Sequence, residues 1–336
     1  MKQIQELHSL DTNKPDDLLV VSASFEPRCL GVNKLVAPYR ANAVIILNPV
    51  SNVTGKGARK QMDHMDKLFP SMCKIDSSKI ASIKYITAHD QKELLLAIQE
   101  YIEVRKIAPL KTITIDISCL TKIQLFFLIR WTWQNLKGVN VRLIYTKPMR
   151  YNTVRSVKTE LSWEYSQPFV TSLTRSGKRP INKKLWVILG HEGDRILNTW
   201  RYAEPDETIL VRARSDEKHL NEQTSNRNAY LLSRCKINPM VKVREFDPLN
   251  VGWALSELYR TNPPSAMEAA QNIIATYGPK PLIVSMAVWS CLYSKIWMDF
   301  LYSVPGRYDE NYSEGIKASF LFEFISGDKM SFAENA

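Results

Sequence analysis

Short apolar runs alternate with amphipathic stretches along most of the chain. Leu18 to Ala23 and Ala43 to Leu47 are continuous apolar runs, the pattern of strands buried on both faces, and Asn48-Pro49 ends the second. The pattern then predicts a helix over 56–68, a strand over 83–86 and a helix over 92–107, where Leu95, Ile98 and Ile102 share one stripe. A strand over 113–117, a helix over 121–136 and a strand over 141–145, closed by Pro148, follow. Strands alternating with helices in this way predict a parallel sheet covered on both faces.

Between Met149 and Lys184 the pattern dissolves into Thr, Ser, Arg and Pro, and the stretch TRSGKRPINKK predicts a linker or an ordered strap. It resumes with strands over 185–189, 208–211 and 241–246 and helices over 221–235 and 251–259. Lys280 to Ser285 is expected to be a strand, followed by a helix through Tyr302, and Ala318 to Phe324 is expected to complete this second half.

The two halves resemble each other. Leu18 to Gly31 (LLVVSASFEPRCLG) and Leu185 to Asn198 (LWVILGHEGDRILN) each pass from an apolar run into a polar turn with a glutamate and an arginine, at an offset of 167 residues. Lys111 to Trp133 and Lys280 to Tyr302 form a second pair at an offset of 169. The expectation is a degenerate tandem duplication of class α/β: two Rossmann-like domains, 1–150 and 185–336, joined by a basic strap over 151–184. In each domain a mostly parallel sheet would carry helices on both faces.

Composition changes this picture only modestly. A chain of 336 residues with 45% hydrophobic and 24% charged residues is that of a globular protein large enough for two cores. No apolar leader opens the chain and no run is long enough to span a bilayer, so no membrane association and a cytoplasmic location are expected. Five cysteines lie scattered without a CxxC pair or a nearby histidine pair, which predicts free thiols, no metal site and no cofactor. The net charge of +11 is unevenly placed: residues 1–150 hold 22 basic against 13 acidic side chains, residues 151–184 hold 7 against 2, and the remainder is slightly acidic. A polyanionic partner, nucleic acid or a phosphorylated ligand, would meet attraction over residues 1–184.

Two turns of the first half could carry chemistry. Asp116-Ile117-Ser118-Cys119-Leu120-Thr121-Lys122 ends a strand and opens a helix, so backbone N–H groups, hydroxyls and a lysine converge where a phosphate would sit. The competing structural reading has Ser118 or Thr121 merely capping the helix. Its expected counterpart, Ser285 to Cys291, keeps hydroxyls but lacks the aspartate and the lysine. The other turn offers Ser22, Ser24, Glu26 and Arg28, matched by His191, Glu192 and Arg195. Arginine grips a phosphate or carboxylate with two parallel hydrogen bonds, and the neighbouring glutamate can orient it, although a Glu-Arg pair that only braces the first helix is the simpler alternative. His191, beside Glu192 and Asp194, suits a pocket wall. GxGxxG, Walker A, GxSxG and HExxH motifs are missing, so the dinucleotide, P-loop, hydrolase and zincin classes fall away.

With these turns the layout resembles the CARF and SAVED sensor domains of prokaryotic antiviral systems. Leu120-Thr121-Lys122 stands where that superfamily carries Thr-Lys before a later helix, with Ser118-Cys119-Leu120 in place of its usual glycines, and Ser22 to Arg28 stands in its first loop. The chain is also similar to a family sharing the FEPR and GHEGDR turns. The resemblance implies a sensor or adaptor of antiviral defence that binds a nucleotide-derived ligand and signals to an operon-encoded partner protein. A nucleotide- or nucleic-acid-processing enzyme, with Glu26, Asp116 or Glu192 as acid, base or metal ligand, and a plain nucleic-acid-binding subunit are the competing expectations.

Overall fold

The computed structural model describes residues 2–6, 15–24, 26–31, 40–49, 79–85, 91–105, 107, 109–151, 168–174, 178–293, 295–303 and 313–327. The helix expected over 56–68 lies outside these residues. In chain order the first elements are β1 (Lys2–Glu6), β2 (Leu18–Ser22), a 3-10 turn (Pro27–Leu30), β3 (Val44–Pro49), β4 (Ile80–Tyr85), α1 (Gln91–Val104), β5 (Thr112–Asp116), α2 (Lys122–Asn135), β6 (Asn140–Lys147) and β7 (Arg150–Tyr151). They continue with β8 (Pro168–Thr174), β9 (Lys183–Ile188), α3 (Gly193–Ala203), β10 (Glu207–Ala213), α4 (Lys218–Arg227), α5 (Ala229–Arg234) and β11 (Val241–Phe246). The last are α6 (Val251–Thr261), α7 (Pro264–Glu268), β12 (Gln271–Thr276), α8 (Lys280–Cys291), β13 (Met298–Ser303), β14 (Ser313–Glu314) and β15 (Ala318–Ile325).

The chain is an α/β protein with two largely parallel sheets. The first sheet runs β1-β15-β6-β5-β2-β3-β4 and the second β11-β10-β9-β12-β13-β8. Within each, five successive strands of the chain lie parallel in the order third, second, first, fourth, fifth. This is the Rossmann arrangement, in which the strand order reverses between the first and fourth strands. The segments at Leu18 and Leu185 therefore occupy the same topological place, the central first strand of each sheet.

Burial follows from the apolar runs. β2 is buried along its whole length, and α2 turns Leu125, Phe126, Ile129 and Trp133 inward, with Trp133 against Phe324 at 5.9 Å. In the second unit Trp186 of β9 meets Trp289 of α8 with ring centroids 4.9 Å apart.

The second sheet corrects the expected strand at Lys280 to Ser285. That segment belongs to α8, and the fourth parallel strand is β12, Gln271–Thr276. Residues 281–290 are all buried, so the helix shows no polar stripe, and an apolar run of this kind cannot be told from a buried strand by periodicity. Pro279 and Pro281 fit only a helix start, where no N–H is needed. Leu18 pairs with Ile113 and Leu185 with Ile273, so the offset between copies contracts from 167 at the first strand to 160 at the fourth. The second matched pair, at 169, was thus nine residues out of register, and the expected helix end through Tyr302 is strand β13. The expected helix over 221–235 is interrupted at Asn228 into α4 and α5.

The ends of the chain also sort differently from the expected domains. Two compact units consist of residues 1–159 with 307–328, and of residues 160–306 with 329–336. β15, expected to close the second half, is antiparallel to β6 of the first sheet over eight residues, from Ala318 opposite Lys147 to Ile325 opposite Asn140. β8, inside the expected strap, is antiparallel to β13 at the edge of the second sheet, from Pro168 opposite Ser303 to Thr174 opposite Met298. A strand beside the fifth parallel strand covers its open hydrogen-bonding edge, and in each sheet it comes from the segment more distant in the chain, β15 for β6 and β8 for β13. Side chains fasten each one: Glu323 of β15 pairs with Arg142 at 2.7 Å, and Ser172 of β8 donates to Asp299 at 2.6 Å.

Phe322 of β15 is 1% exposed. Phe322→Ala is expected to destabilise the first unit by about 3–5 kcal/mol, seen as faster amide hydrogen exchange along β6; acceleration restricted to second-unit peptides would contradict the assignment of β15.

Candidate functional site

The reversal of strand order brings the loop after β2 and the turn after β5 to one carboxyl edge of the first sheet, the crevice where open α/β sheets hold ligands. Ser22 and Ser24 are buried there. The Ser24 hydroxyl accepts from the Glu26 amide at 3.1 Å, a local turn that fixes the direction of Glu26. Arg28, only 3% exposed, donates through Nε and Nη2 to Glu26 Oε2 at 3.1 and 2.5 Å, and through Nη1 to the Thr146 carbonyl at the end of β6 at 3.4 Å. Its guanidinium also lies 5.9 Å from the centre of the Tyr151 ring. Burial, the largest single influence, would lower the Arg28 pKa, but Glu26 together with Tyr151, Cys119 and Tyr145 raises it well above its ordinary value, so the group stays charged.

The turn after β5 is equally ordered. Asp116 Oδ1 accepts from the Ser118 amide at 2.8 Å, and Ser118 Oγ accepts from the Thr146 amide at 2.8 Å. Thr146 Oγ1 meets Ser319 Oγ of β15 at 2.7 Å. A Cβ on Gly31 would lie 2.3 Å from Thr146 Oγ1, so only glycine lets the loop approach β6 this closely. Thr121 caps α2 by accepting from the Gln124 amide at 3.3 Å, while the Gln124 side chain accepts from the Thr121 amide at 3.0 Å. The capping reading of Thr121 is therefore realised. Thr121, Lys122 and Cys119 are half-buried and reach the surface at the same edge. Burial, with Cys29 and Glu26 adding to it and Arg28 opposing, pushes the Cys119 thiol well above its usual range. The two loops meet at Thr146, whose carbonyl accepts from Arg28 and whose amide donates to Ser118 Oγ.

The second sheet repeats the brace with different filling. Arg195, 6% exposed, pairs with Glu192 at 2.6 Å and donates through Nε to the Ser303 carbonyl at the end of β13 at 3.0 Å, with Nη2 on the same oxygen. Its guanidinium lies 5.3 and 5.2 Å from the Tyr277 and Tyr302 ring centres, and those rings stack on each other at 5.3 Å. Burial, the largest single influence, opposes the charge, while Glu192 with Tyr302 and Tyr277 together more than restores it, so the Arg195 pKa is raised. Tyr277 Oη accepts from the Ser303 amide at 2.7 Å and meets Thr199 Oγ1 at 2.5 Å. A Cβ on Gly190 would fall 1.9 Å from the Tyr277 carbonyl, and one on Gly278 would meet the Leu189 carbonyl at 2.7 Å. Backbone and tyrosine thus close the reversal point of this sheet. His191 Nδ1 lies 3.5 Å from Thr224 Oγ1, and Asn228 Nδ2 donates to the Gly190 carbonyl at 2.8 Å.

Ser22, Ser24, Glu26, Arg28, Asp116, Ser118, Thr121 and Lys122 converge at one edge, and His191, Glu192 and Arg195 lie at the equivalent edge of the other sheet. Ser285 to Cys291, expected as the second unit's equivalent turn, lies inside α8, where Ser285 Oγ donates to the Val251 carbonyl at 3.0 Å. Sequence reasoning missed Thr146, Tyr151, Ser303, Tyr277 and Tyr302. Thr146 and Ser303 end the fifth parallel strand of each sheet, and an alignment that allowed the offset to shrink along the chain would have paired those strands. Among the described residues, no group of three or more His, Cys, Asp or Glu side chains could hold a metal ion. Among the same residues no helix is long and apolar enough to cross a membrane.

No protein-family model matches the chain, and no curated protein does. Among solved structures, the cytoplasmic domain of a prokaryotic cation chloride cotransporter is similar at 11% identity over 89% of this chain and 99% of that one, with a TM-score of 0.26. A putative universal stress protein from Pseudomonas aeruginosa UCBPP-PA14 is similar at 11% identity over 87% and 94%, with a TM-score of 0.24. UDP-GlcNAc 2-epimerase from Neisseria meningitidis, bound to UDP-GlcNAc, is similar at 10% identity over 82% and 89%, with a TM-score of 0.23.

Removing one member of a buried ion pair leaves the other charge uncompensated. Glu192→Gln is expected to cost the second unit about 3–5 kcal/mol, measured by urea unfolding followed through tryptophan fluorescence; a loss below about 1 kcal/mol would mean that Arg195 is solvated rather than buried.

Proposed function

We propose that the carboxyl edge of the first sheet binds a nucleotide-derived or other phosphorylated ligand, and that the protein is a sensor or adaptor of the antiviral-defence type that passes this binding to a partner protein. The observation that carries the reading is the convergence of the Ser22 to Arg28 loop with the Asp116 to Lys122 turn where the strand order reverses, both loops being bonded to Thr146. Half-buried Thr121 and Lys122 stand at the N-terminus of α2, where the helix dipole favours an anion.

Arg28 enters this reading differently from its sequence role. It is enclosed by Glu26, Thr146 and Tyr151, so it shapes the loop and supplies positive potential from beneath, while Lys122 is the cation that a ligand would touch. The carboxylates favour binding over turnover: Glu26 and Glu192 each hold a buried arginine, and Asp116 holds the Ser118 amide. The likeness of Leu120-Thr121-Lys122 to the Thr-Lys of CARF and SAVED domains selects an oligonucleotide signal among phosphorylated ligands. In the second unit Tyr277 and the Gly190 and Gly278 contacts fill the equivalent point, which favours the first unit as the binding half.

Isothermal titration of the full chain with a panel of cyclic and linear oligonucleotides tests the reading. At least one member should bind, Lys122→Glu should weaken it by about tenfold or more, and Arg150→Glu should weaken it much less. Failure of the whole panel, or equal affinity in Lys122→Glu, would overturn it. Affinity that collapses with salt and follows total charge instead would favour plain nucleic-acid binding.

A further inference from the structure

The first unit comprises residues 1–159 and 307–328; β7 and β14 are its last described strand before that interruption and its first after it, and β8 to β13 lie wholly between them in sequence. At this neck β7 and β14 pair antiparallel, Tyr151 opposite Ser313 and Arg150 opposite Glu314. A two-residue ribbon is marginal by itself. The Arg150–Glu314 ion pair, at 2.6 Å with side chains 69% and 63% exposed, adds little in water. What holds the neck lies beneath it. Ser313, 6% exposed, donates to Glu26 Oε2. Tyr151 sits over the Arg28 guanidinium and its hydroxyl meets that of Tyr145 at 3.2 Å.

We propose that the buried Glu26–Arg28 pair is a latch on the neck through which the second unit is spliced into the first. One carboxylate oxygen serves both sides of the latch, because Glu26 Oε2 accepts from Arg28 and from Ser313. A change that draws Arg28 or Glu26 away loosens β7 and β14 together, at the two points where the chain passes to and from the second unit. The latch stands without any ligand; its use as the output of binding rests on the ligand reading above, since the pair belongs to the same edge.

Hydrogen exchange on the full chain, read by mass spectrometry, tests the latch first without ligand. The amide of Met149, which donates to the Glu314 carbonyl at 3.0 Å, reports on the neck. Ser313→Ala and Glu26→Gln should each accelerate its exchange by about tenfold, with β2 and β5 unaffected in Ser313→Ala. Arg150→Ala should change it by less than about threefold. Unchanged exchange in Ser313→Ala, or an equal effect of Arg150→Ala, would overturn the latch. A second arm adds the oligonucleotide that binds in calorimetry: an altered Met149 rate supports control of the neck by the ligand, and an unaltered rate at saturation overturns that control alone. Absence of any binding ligand removes the ligand reading and leaves the first arm as it stands.

Discussion

A guanidinium buried at the edge of an apolar sheet cannot shed its proton, so it must find a carboxylate and carbonyl oxygens within reach. That requirement organises the carboxyl edge of each sheet. Arg28 and Arg195 both leave the first strand, both take a glutamate from their own loop, and both reach the last carbonyl region of the fifth strand, Thr146 in one case and Ser303 in the other. The brace spans the reversal of strand order and fixes the distance between the loop and the far strand. Everything else at the edge is arranged around it.

The same brace supports opposite outcomes. In the first unit the neighbouring groups are small and polar, Ser22, Ser24, Asp116 and Ser118, and the first turn of α2 brings Lys122 to the surface. In the second unit the stacked rings of Tyr277 and Tyr302 both lie against the guanidinium, and two glycines bring the strand ends into backbone contact. The two sheets share one strand order and so present equivalent edges, and side-chain volume distinguishes the polar edge from the filled one. The arginine is common to both because its role is to hold the sheet edge together, which the polar and the filled edge need equally.

Much of this was legible in the residues. The apolar runs at Leu18, Ala43 and Leu185 are strands because nothing polar interrupts them, and the Glu-Arg turns marked the two first loops correctly. The fourth strand of the second unit was not legible: Gln271 and Asn272 give it a polar start, while the wholly buried α8 carries the stronger apolar signal. The partners of β8 and β15 were hidden for a different reason. Antiparallel edge strands are chosen by tertiary pairing; sequence position placed β15 with the second half and left β8 inside a strap. Ser319 could not be assigned to the edge before the β15 pairing was known, nor Ser313 before that of β14 with β7. Their hydroxyls carry no periodic signal.

The pairing of β15 with β6 also sets an order of events during synthesis. The ribosome delivers β2 to β6 early, yet the neighbour that covers β6 emerges only after the entire second unit has been made. Until then the nascent first sheet presents an open strand edge, and β8, which comes next in the chain, is the segment closest at hand to occupy it wrongly. In the finished fold β8 lies against β13 instead, so the edge a strand covers is settled by the sheet it meets and not by its place in the chain.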